Sequence, residues 1–240
     1  MQPYPVYIFD LYGTLADVHT DESPAALWED AAAFAFAYGA RCTGAALKER
    51  YHAYCADEIM LRKKALPDVP QNAIEPELLN VFSRLLNAFG GDGSDENAKA
   101  LARFFRKRST IFLKPMPHAL ETLDALHARG AKLYLLSNAQ SCFTCDELTA
   151  LDLARRFDGI LLSSDAGMKK PYRGLFSLLL NAYRIDPASA LMVGNDATAD
   201  ISGACSVGLN SAYYHTWSSP PRPKTLPATC SEISGLSELL

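Results

Sequence analysis

An aspartate stands where an early apolar run gives way to a turn. The segment FDLYGTL places Asp10 directly after Phe9 and three residues before Gly13. A carboxylate is ionised at neutral pH, so it can attack phosphorus or carbon and form a covalent intermediate that water later cleaves. An aspartate in such a place is as often a helix cap or a turn residue. Its chemistry therefore depends on which other residues reach it.

Five short apolar runs, rich in β-branched, aromatic or leucine residues, are the elements that must position this aspartate. They predict buried strands at Tyr4–Asp10, Lys132–Ser137, Gly159–Ser163, Ala190–Gly194 and Ser211–Tyr214. Helical patterns precede and separate the last four, at Pro117–Arg129, Gly174–Arg184 and Asp200–Val207. This alternation predicts an α/β fold with a Rossmann-like parallel sheet covered on both faces. Ligands bind such sheets at the carboxyl ends of the strands.

The stretch 17–112 has a different pattern. It lacks strand signals and shows helical periodicity, as in Leu79, Phe82 and Leu86. Breaks at Leu66–Pro70 and Gly90–Ser94 divide it into separate helices. We therefore expect an α-helical cap domain over 17–112, inserted into an α/β core domain formed by 1–16 and 113–240.

The composition indicates which classes of partner and which cellular compartment to expect. The net charge is −4, and no cluster of basic residues favours a nucleic-acid or membrane partner, so we expect a small-molecule substrate. No apolar stretch reaches the roughly 18 residues that a membrane span needs, and no secretory signal is visible. The six cysteines are scattered, which suits reduced thiols better than a disulfide framework. These features predict a cytoplasmic protein.

The segment from Asp10 to Thr14 resembles the DxxGT signature of the haloacid dehalogenase-like superfamily, and the later motifs of that superfamily follow in order. Ser137 and Asn138 end the second predicted strand, where the family hydrogen-bonds the phosphoryl group or the substrate carboxylate. Lys170 precedes a proline, as the family's lysine does, and would neutralise charge on the nucleophile and the transition state. The resemblance thus implies Asp10 as nucleophile, Lys170 as its partner, and substrate contacts from Thr14, Ser137 and Asn138.

The fourth motif, GNDATAD, is similar to that of the family's magnesium-dependent phosphatases, where two acids coordinate the metal directly or through water. Magnesium prefers hard oxygen ligands. The resemblance implies Mg²⁺ held by Asp10, the backbone carbonyl of Tyr12, and Asp196, with Asp200 close by. Asn195 fills the usual place of the first aspartate and is the alternative direct ligand. Taken singly, each acid here also fits a cap of the following helix.

Tyr12 departs from the phosphatase pattern. Family phosphatases carry a second aspartate at this position, which acts as general acid and then as base. A tyrosine, with an ordinary pKa near 10, can donate a proton but is a poor base at neutral pH. The DLYGT form is similar to that of the 2-haloacid dehalogenases, in which halide leaves without protonation. Dehalogenation through an aspartyl ester is therefore the alternative function.

Three features favour the phosphatase. Dehalogenases of this kind use no metal, whereas the acids of the fourth motif would crowd the nucleophile with negative charge unless a cation balanced them. These dehalogenases also share a tyrosine six residues after the lysine, whereas this chain has Phe176 at that position. They hold the substrate carboxylate with a cap arginine, for which only Arg41 and Arg50 are candidates, in no recognisable motif.

Two further possibilities remain. His19 lies where the chain leaves the core, in a hinge that faces the active site in this superfamily, so it is a candidate for proton transfer or substrate binding. A polar start of the next helix is the alternative interpretation. A binding protein that has lost catalysis is a third functional hypothesis, supported mainly by Tyr12. The combined expectation is a magnesium-dependent phosphatase acting on a small phosphorylated metabolite through an aspartyl-phosphate, as a monomer or homodimer.

Overall fold

A computed structural model describes residues 3–240. Its strands are β1 (Val6–Phe9), β2 (Ala16–Thr20), β3 (Thr110–Pro115), β4 (Lys132–Ser137), β5 (Gly159–Leu162), β6 (Ala190–Gly194), β7 (Asn210–Tyr214) and β8 (Cys230–Ile233). Its helices are α1 (Ala25–Phe36), α2 (Gly44–Ala65), α3 (Leu78–Ala88), α4 (Asp95–Ser109), α5 (Ala119–Ala128), α6 (Ser141–Ala150), α7 (Ser163–Ala166), α8 (Arg173–Tyr183) and α9 (Gly203–Cys205). Shorter turns are 3₁₀-helical at Gln71–Ala73, Ala154–Arg156, Pro187–Ser189 and Leu236–Leu239, and π-helical at Ala197–Ser202.

A six-stranded parallel sheet forms the centre of the molecule, in the order β5-β4-β1-β6-β7-β8. β1 lies between β4 and β6, and Phe9 pairs with Leu135 on one side and with Val193 on the other. The carboxyl ends of these three strands therefore meet at one edge of the sheet, directly before Asp10. The prediction of a Rossmann-like α/β fold is confirmed.

Both faces of the sheet are buried. Tyr7 and Phe9 pack on one face with residues of α5, whereas Ile8 packs on the other face with residues of α8 and α9. A strand covered on both faces has no solvent side, which explains why β1 reads as an unbroken apolar run instead of an alternating one. This burial holds the start of the Asp10 loop rigidly.

A two-stranded antiparallel ribbon joins the sheet region to the helices: β2 pairs with β3. The expectation that 17–112 lacks strands is wrong at both of its ends. β2 contains Asp17 and His19, and β3 is largely exposed, so neither strand carries a clear apolar alternation. Their pairing depends on residues that lie about 90 positions apart in the chain, and local patterns do not reveal such contacts.

The helices α1 to α4 form a helical segment (Ala25–Ser109) with an apolar cluster in which Trp28 and Phe105 pack with ring centroids 4.8 Å apart; from the sheet region, α6 adds Cys142 to this cluster. The segment also touches the sheet region through its backbone. Lys169 N donates to Ala73 O at 2.9 Å, and Glu75 N donates to Gly167 O at 3.0 Å. The loop that leads into Lys170 is thus held by the helical segment. None of the helices within residues 3–240 has the length and apolar character needed to cross a membrane.

Candidate active site

Asp10 and Lys170 form a buried ion pair at the carboxyl edge of the sheet. Asp10 follows β1, and its backbone N–H donates to Val193 O at 3.0 Å, which fixes it against β6. Lys170 Nζ donates to Asp10 Oδ1 at 2.7 Å. The Asp10 side chain is 10% exposed and the Lys170 side chain 1%, so the pair interacts with little screening by water.

Lys170 is shared between two carboxylates. Its ammonium also donates to Asp200 Oδ1 at 2.7 Å and to Leu136 O at 2.8 Å, so all three N–H groups are engaged. Burial by itself would lower the pKa of Lys170, but the charges of Asp10 and Asp200 outweigh that effect and raise it. Burial raises the pKa of Asp200, opposed by the Lys170 charge. We call Asp10, Lys170 and Asp200 the Lys170 cluster.

Hydroxyl groups complete the contacts of Asp10. Ser137, at the end of β4, donates to Asp10 Oδ1 at 3.4 Å, and Thr14 donates to Asp10 Oδ2 at 3.2 Å. The Thr14 hydroxyl is also 3.4 Å from Asn195 Oδ1, so it links Asp10 to the end of β6. Three predicted site residues therefore donate to Asp10, namely Lys170, Ser137 and Thr14.

Asn138 holds the backbone of Lys170. Its Oδ1 accepts from Lys170 N at 2.8 Å, and its Nδ2 donates to Lys170 O at 3.1 Å. Because both amide groups are engaged, the side chain positions the lysine loop. A contact between Asn138 and the substrate stays a prediction.

The acids of the fourth motif have different local partners. Asp196 Oδ1 accepts from Thr198 N at 2.7 Å and from Ala199 N at 2.9 Å, which caps the π-helical turn. Asp200 Oδ2 accepts a hydrogen bond from Asp196 N at 2.9 Å, so this carboxylate contacts the start of the turn. A Cβ on Gly194 would lie 2.3 Å from Asp200 Oδ2, so the glycine allows this close approach.

A polar cavity of about 230 Å³ opens above the nucleophile. Predicted site residues line most of it, namely Asp10, Tyr12, Ser137, Asn138, Lys170, Asn195, Asp196 and Asp200. Ala199, Ser218 and Pro220 complete the lining, so among residues 3–240 no part of the helical segment reaches the wall. The lining carries three carboxylates and one lysine, which leaves the cavity with excess negative charge. In the described chain no three His, Cys, Asp or Glu side chains group as metal ligands.

The hydroxyl of Tyr12 points towards a second cluster. It donates to Glu147 Oε2 and lies 3.0 Å from Thr144 Oγ1, both on α6. Arg106 of α4 pairs with the same glutamate, with 2.5 Å between Nε and Oε1. Burial raises the pKa of Tyr12, and the Glu147 carboxylate raises it further. We call Tyr12, Arg106, Thr144 and Glu147 the Arg106 cluster; it joins the helical segment to the sheet region.

His19 and the two candidate arginines lie elsewhere. His19 is exposed on β2 and stacks on Phe112 at 5.9 Å between ring centroids, outside the lining of the Asp10 cavity. Arg41 lies over the ring of Phe36, and Arg50 lies over the ring of Tyr54. The structure does not bring these three side chains to the nucleophile.

Sequence patterns did not identify Ser218, Arg106 or Glu147. Ser218 adjoins the Pro-rich segment Ser219–Pro223, which resembles a connector, and Arg106 belongs to the basic last turn of α4. A larger cavity of about 500 Å³ borders Arg106 and Glu147, but it contains none of the Lys170 cluster. Of these two cavities, only the smaller one is lined by the Lys170 cluster.

A family model of haloacid dehalogenase-like hydrolases matches residues 4–208, which is most of the chain. The chain belongs to the haloacid dehalogenase-like hydrolases. The resemblance inferred from the four motifs is confirmed.

Similar proteins include named phosphatases. This hydrolase is 32% identical over 148 residues to a phosphoserine phosphatase of Thermus thermophilus, covering 61% of this chain and 58% of the relative. It is 29% identical over 173 residues to a phosphoglycolate phosphatase of Escherichia coli, covering 70% and 63%. The chain thus spans less than two thirds of these relatives.

A 2-haloacid dehalogenase from Pseudomonas syringae pv. Tomato DC3000 has the same fold. The TM-score is 0.65 at 23% identity, and the match covers 98% of this chain and 95% of that one. At this identity the likeness concerns the fold alone.

Proposed function

We propose that this hydrolase is a phosphatase that acts on a small phosphorylated metabolite through an aspartyl-phosphate on Asp10. The observation that carries the proposal is the Lys170 cluster, which holds a carboxylate nucleophile and a fully engaged ammonium at the floor of a polar cavity. The names of the relatives, phosphoserine phosphatase and phosphoglycolate phosphatase, support the same chemistry.

The reaction needs two displacements at phosphorus. In the first, the Asp10 carboxylate attacks and the bond to the leaving oxygen breaks. In the second, water attacks the aspartyl-phosphate and returns the free carboxylate. Lys170 counters the negative charge of Asp10, which helps a phosphate dianion to approach, and the Ser137 hydroxyl turns from Asp10 to the phosphoryl oxygens.

The donor set fits a magnesium ion. Asp10, the amide oxygen of Asn195 and the backbone carbonyl of Tyr12 are hard oxygens, and the Thr14 hydroxyl already spans the first two. The excess negative charge of the cavity also favours a cation. We propose these three as the direct donors. This prefers Asn195 to Asp196, the direct ligand that the family resemblance implied, because Asp196 Oδ1 caps the π-helical turn. Asp196 and Asp200 would contribute charge or water-mediated contacts. When bound, Mg²⁺ would supply charge stabilisation to the phosphoryl oxygens.

We further propose that the helical segment acts as the cap domain, over 17–112, and that the core comprises 1–16 and 113–240. Its apolar cluster, to which 113–240 contributes only Cys142 and Phe143, supports a unit that packs largely within itself. We also propose that the protein acts on a small molecule in the cytoplasm. The six cysteines are free thiols, which suits a reducing compartment. Whether the protein is a monomer or a homodimer stays a prediction.

Phosphate release from p-nitrophenyl phosphate tests the proposal. We expect turnover that stops with a chelator, returns with added Mg²⁺, and falls at least about 10³-fold in Asp10→Asn. Asp92→Asn, a change in an exposed turn, is the matched control and should keep wild-type rates. Turnover that a chelator does not affect would overturn the metal assignment, and an active Asp10→Asn would overturn the nucleophile.

Dehalogenation remains the second candidate because Tyr12 replaces the usual acid. A 2-haloacid carries a carboxylate that needs a cation, yet the described lining offers only Lys170, already held by two carboxylates. This arrangement supports the phosphatase. Halide release from 2-chloropropionate, with no phosphate release from any ester, would reverse that order. Failure of both assays in folded protein would support the binding-protein hypothesis.

A further inference from the structure

A loop of the sheet region, Thr216–Pro220, forms one rim of the Asp10 cavity. It follows β7, and both Ser218 and Pro220 line the cavity. The other rim residues, Tyr12, Asn138 and Asp196, are half-buried, whereas Asp10, Lys170 and Ser137 at the floor are buried. We therefore expect a phosphoryl group bound at the floor to direct its leaving group towards the rim, of which Ser218 and Pro220 form one side.

The rim loop is attached to the loop that carries the nucleophile. Thr216 Oγ1 donates to Gly13 O at 3.0 Å, and Trp217 Nε1 donates to Asp17 Oδ1 at 3.0 Å. Within the loop, Thr216 N donates to Ser219 Oγ at 2.9 Å. The Trp217 ring also lies beside Phe112 of the ribbon, with ring centroids 6.2 Å apart. These contacts fix the position of the loop before any substrate binds.

Gly13 allows the rim to come so close. Its φ of +86° is a conformation that side chains disfavour, and a Cβ there would lie 2.6 Å from Ser218 Oγ and 2.2 Å from Asn195 Nδ2. Ser218 and Asn195 are therefore near neighbours above the glycine. Ser218 is exposed, and its hydroxyl, 3.3 Å from Thr216 Oγ1, lies beside the proposed metal donors at the mouth of the cavity.

The charge of the lining limits the leaving group. Of the described residues that line the cavity, only Lys170 is cationic, and its three N–H groups are engaged. With Mg²⁺ at the proposed donors, the charges of the metal and Lys170 together only balance those of Asp10, Asp196 and Asp200, so the lining keeps no free positive charge for a second anionic group beside the phosphoryl group. At about 230 Å³ the cavity is also smaller than the roughly 300–1,000 Å³ of typical ligand pockets.

We infer that Ser218 is a substrate-binding residue and that the substrates are phosphate esters of small, neutral, hydroxylated compounds. The hydroxyl of Ser218 hydrogen-bonds a hydroxyl of the leaving group. Phosphoserine and phosphoglycolate, the substrates that the relatives' names contain, carry carboxylates and fit this rim less well. The inference rests on the proposed phosphatase function and specifies its substrate class.

Three two-carbon esters that differ only in the terminal group test the inference: 2-hydroxyethyl phosphate, ethyl phosphate and phosphoglycolate. For the wild type, we expect kcat/KM to be highest for the hydroxyl compound and lowest for the carboxylate. A neutral hydrogen bond contributes about 0.5–1.5 kcal/mol, so Ser218→Ala should raise KM for 2-hydroxyethyl phosphate about two- to twelvefold. The KM for ethyl phosphate should change less than about twofold, because that substrate has no group for Ser218 to bind.

Ser219→Ala is the matched control, since its hydroxyl closes the turn inside the loop and lies outside the cavity lining. An equal rise in KM in both serine variants, or for both uncharged esters, would overturn the contact, because it would reflect disorder of the loop. Phosphoglycolate turned over as well as the hydroxyl compound would overturn the substrate class. If the wild type releases phosphate from none of the three nor from p-nitrophenyl phosphate, the proposed function itself fails, and the inference with it.

Discussion

The Lys170 cluster and the Arg106 cluster are two buried groups of charges, and Tyr12 lies beside both. In the first, one cation serves two carboxylates, and the group borders an open polar cavity. In the second, one cation serves one carboxylate, and the hydroxyls of Tyr12 and Thr144 complete the contacts. The first is left with negative charge facing a cavity, whereas the second is balanced. This contrast supports the proposal that the first cluster is the reaction site and that the second is a structural joint between two elements.

Removing the shared cation should give the largest effect. Lys170→Met leaves two buried carboxylates unpaired, so we expect the free energy of unfolding to fall by about 3–5 kcal/mol. Loss of the positive charge at the nucleophile should lower kcat by at least about 10²–10³-fold. Urea unfolding and phosphate release measure the two effects.

Lys169→Met is the control for this change. Lys169 is the adjacent, half-buried lysine; within residues 3–240 it makes no salt bridge, and its charge opposes the rise that burial causes in the pKa of the Glu75 carboxyl only from a longer distance. We expect the change to alter stability by less than about 1 kcal/mol. A Lys170→Met protein with normal turnover would remove the distinction between the two clusters.

The Arg106 cluster should behave as a joint. Arg106→Met leaves Glu147, 9% exposed, without its cation and should cost about 3 kcal/mol of unfolding free energy. In Arg106→Met/Glu147→Leu both charges are gone, so most of that loss should be recovered. Turnover of p-nitrophenyl phosphate by the double variant should stay near the wild-type rate. A large loss of kcat with intact stability would instead place this cluster in the chemistry.

The sequence predicted the first cluster much better than the second. Each member of the Lys170 cluster follows or precedes a strand of the parallel sheet, and β4 and β6 lie at their predicted bounds, so strand order alone brings their ends together. Arg106 and Glu147 are on helices, 41 residues apart, and their pairing depends on how α4 packs on α6. Nothing local in the sequence marks that packing.

The position of His19 shows the same limit of prediction from sequence. The position of His19 after the first motif suggested a residue facing the nucleophile, but the pairing of β2 with β3 places it against Phe112. A one-residue change of register moves a side chain to the other face of a ribbon, and register is not visible in either strand alone. Long-range pairing therefore decides which polar residues reach the cavity.

Gly194→Ala tests the geometry of the first cluster without changing its charges. The new Cβ would lie 2.3 Å from Asp200 Oδ2 and 2.4 Å from Asp200 Cβ, so the aspartate must move away from Lys170. Overpacking of this kind costs about 1–3 kcal/mol. We expect that loss in unfolding free energy, together with a lower kcat. Gly235→Ala, where the nearest atom is 3.8 Å away and φ is −165°, is the control and should change neither.

Tyr12→Phe should give the smallest change in stability, because it removes only a hydroxyl from the balanced cluster. The loss of two hydrogen bonds should cost about 1–2 kcal/mol at neutral pH. Burial and Glu147 raise the pKa of Tyr12 in the folded protein, so above about pH 10 the unfolded chain loses a proton that the folded chain keeps. Wild-type stability should therefore fall as pH rises past that value, and the fall should be smaller in Tyr12→Phe.

The same variant decides whether Tyr12 takes part in the reaction. Its proton is donated to Glu147, away from the leaving group, so we expect kcat for aryl and alkyl phosphates to change less than about twofold in Tyr12→Phe. Without a general acid, which contributes about 10²–10⁴-fold, the rate should depend steeply on the acidity of the leaving group in both proteins. A series of monoesters from p-nitrophenyl to ethyl phosphate measures that slope. If Tyr12→Phe slows the alkyl esters at least tenfold more than the aryl ones, the phenol supplies the proton, and Tyr12 belongs with the Lys170 cluster.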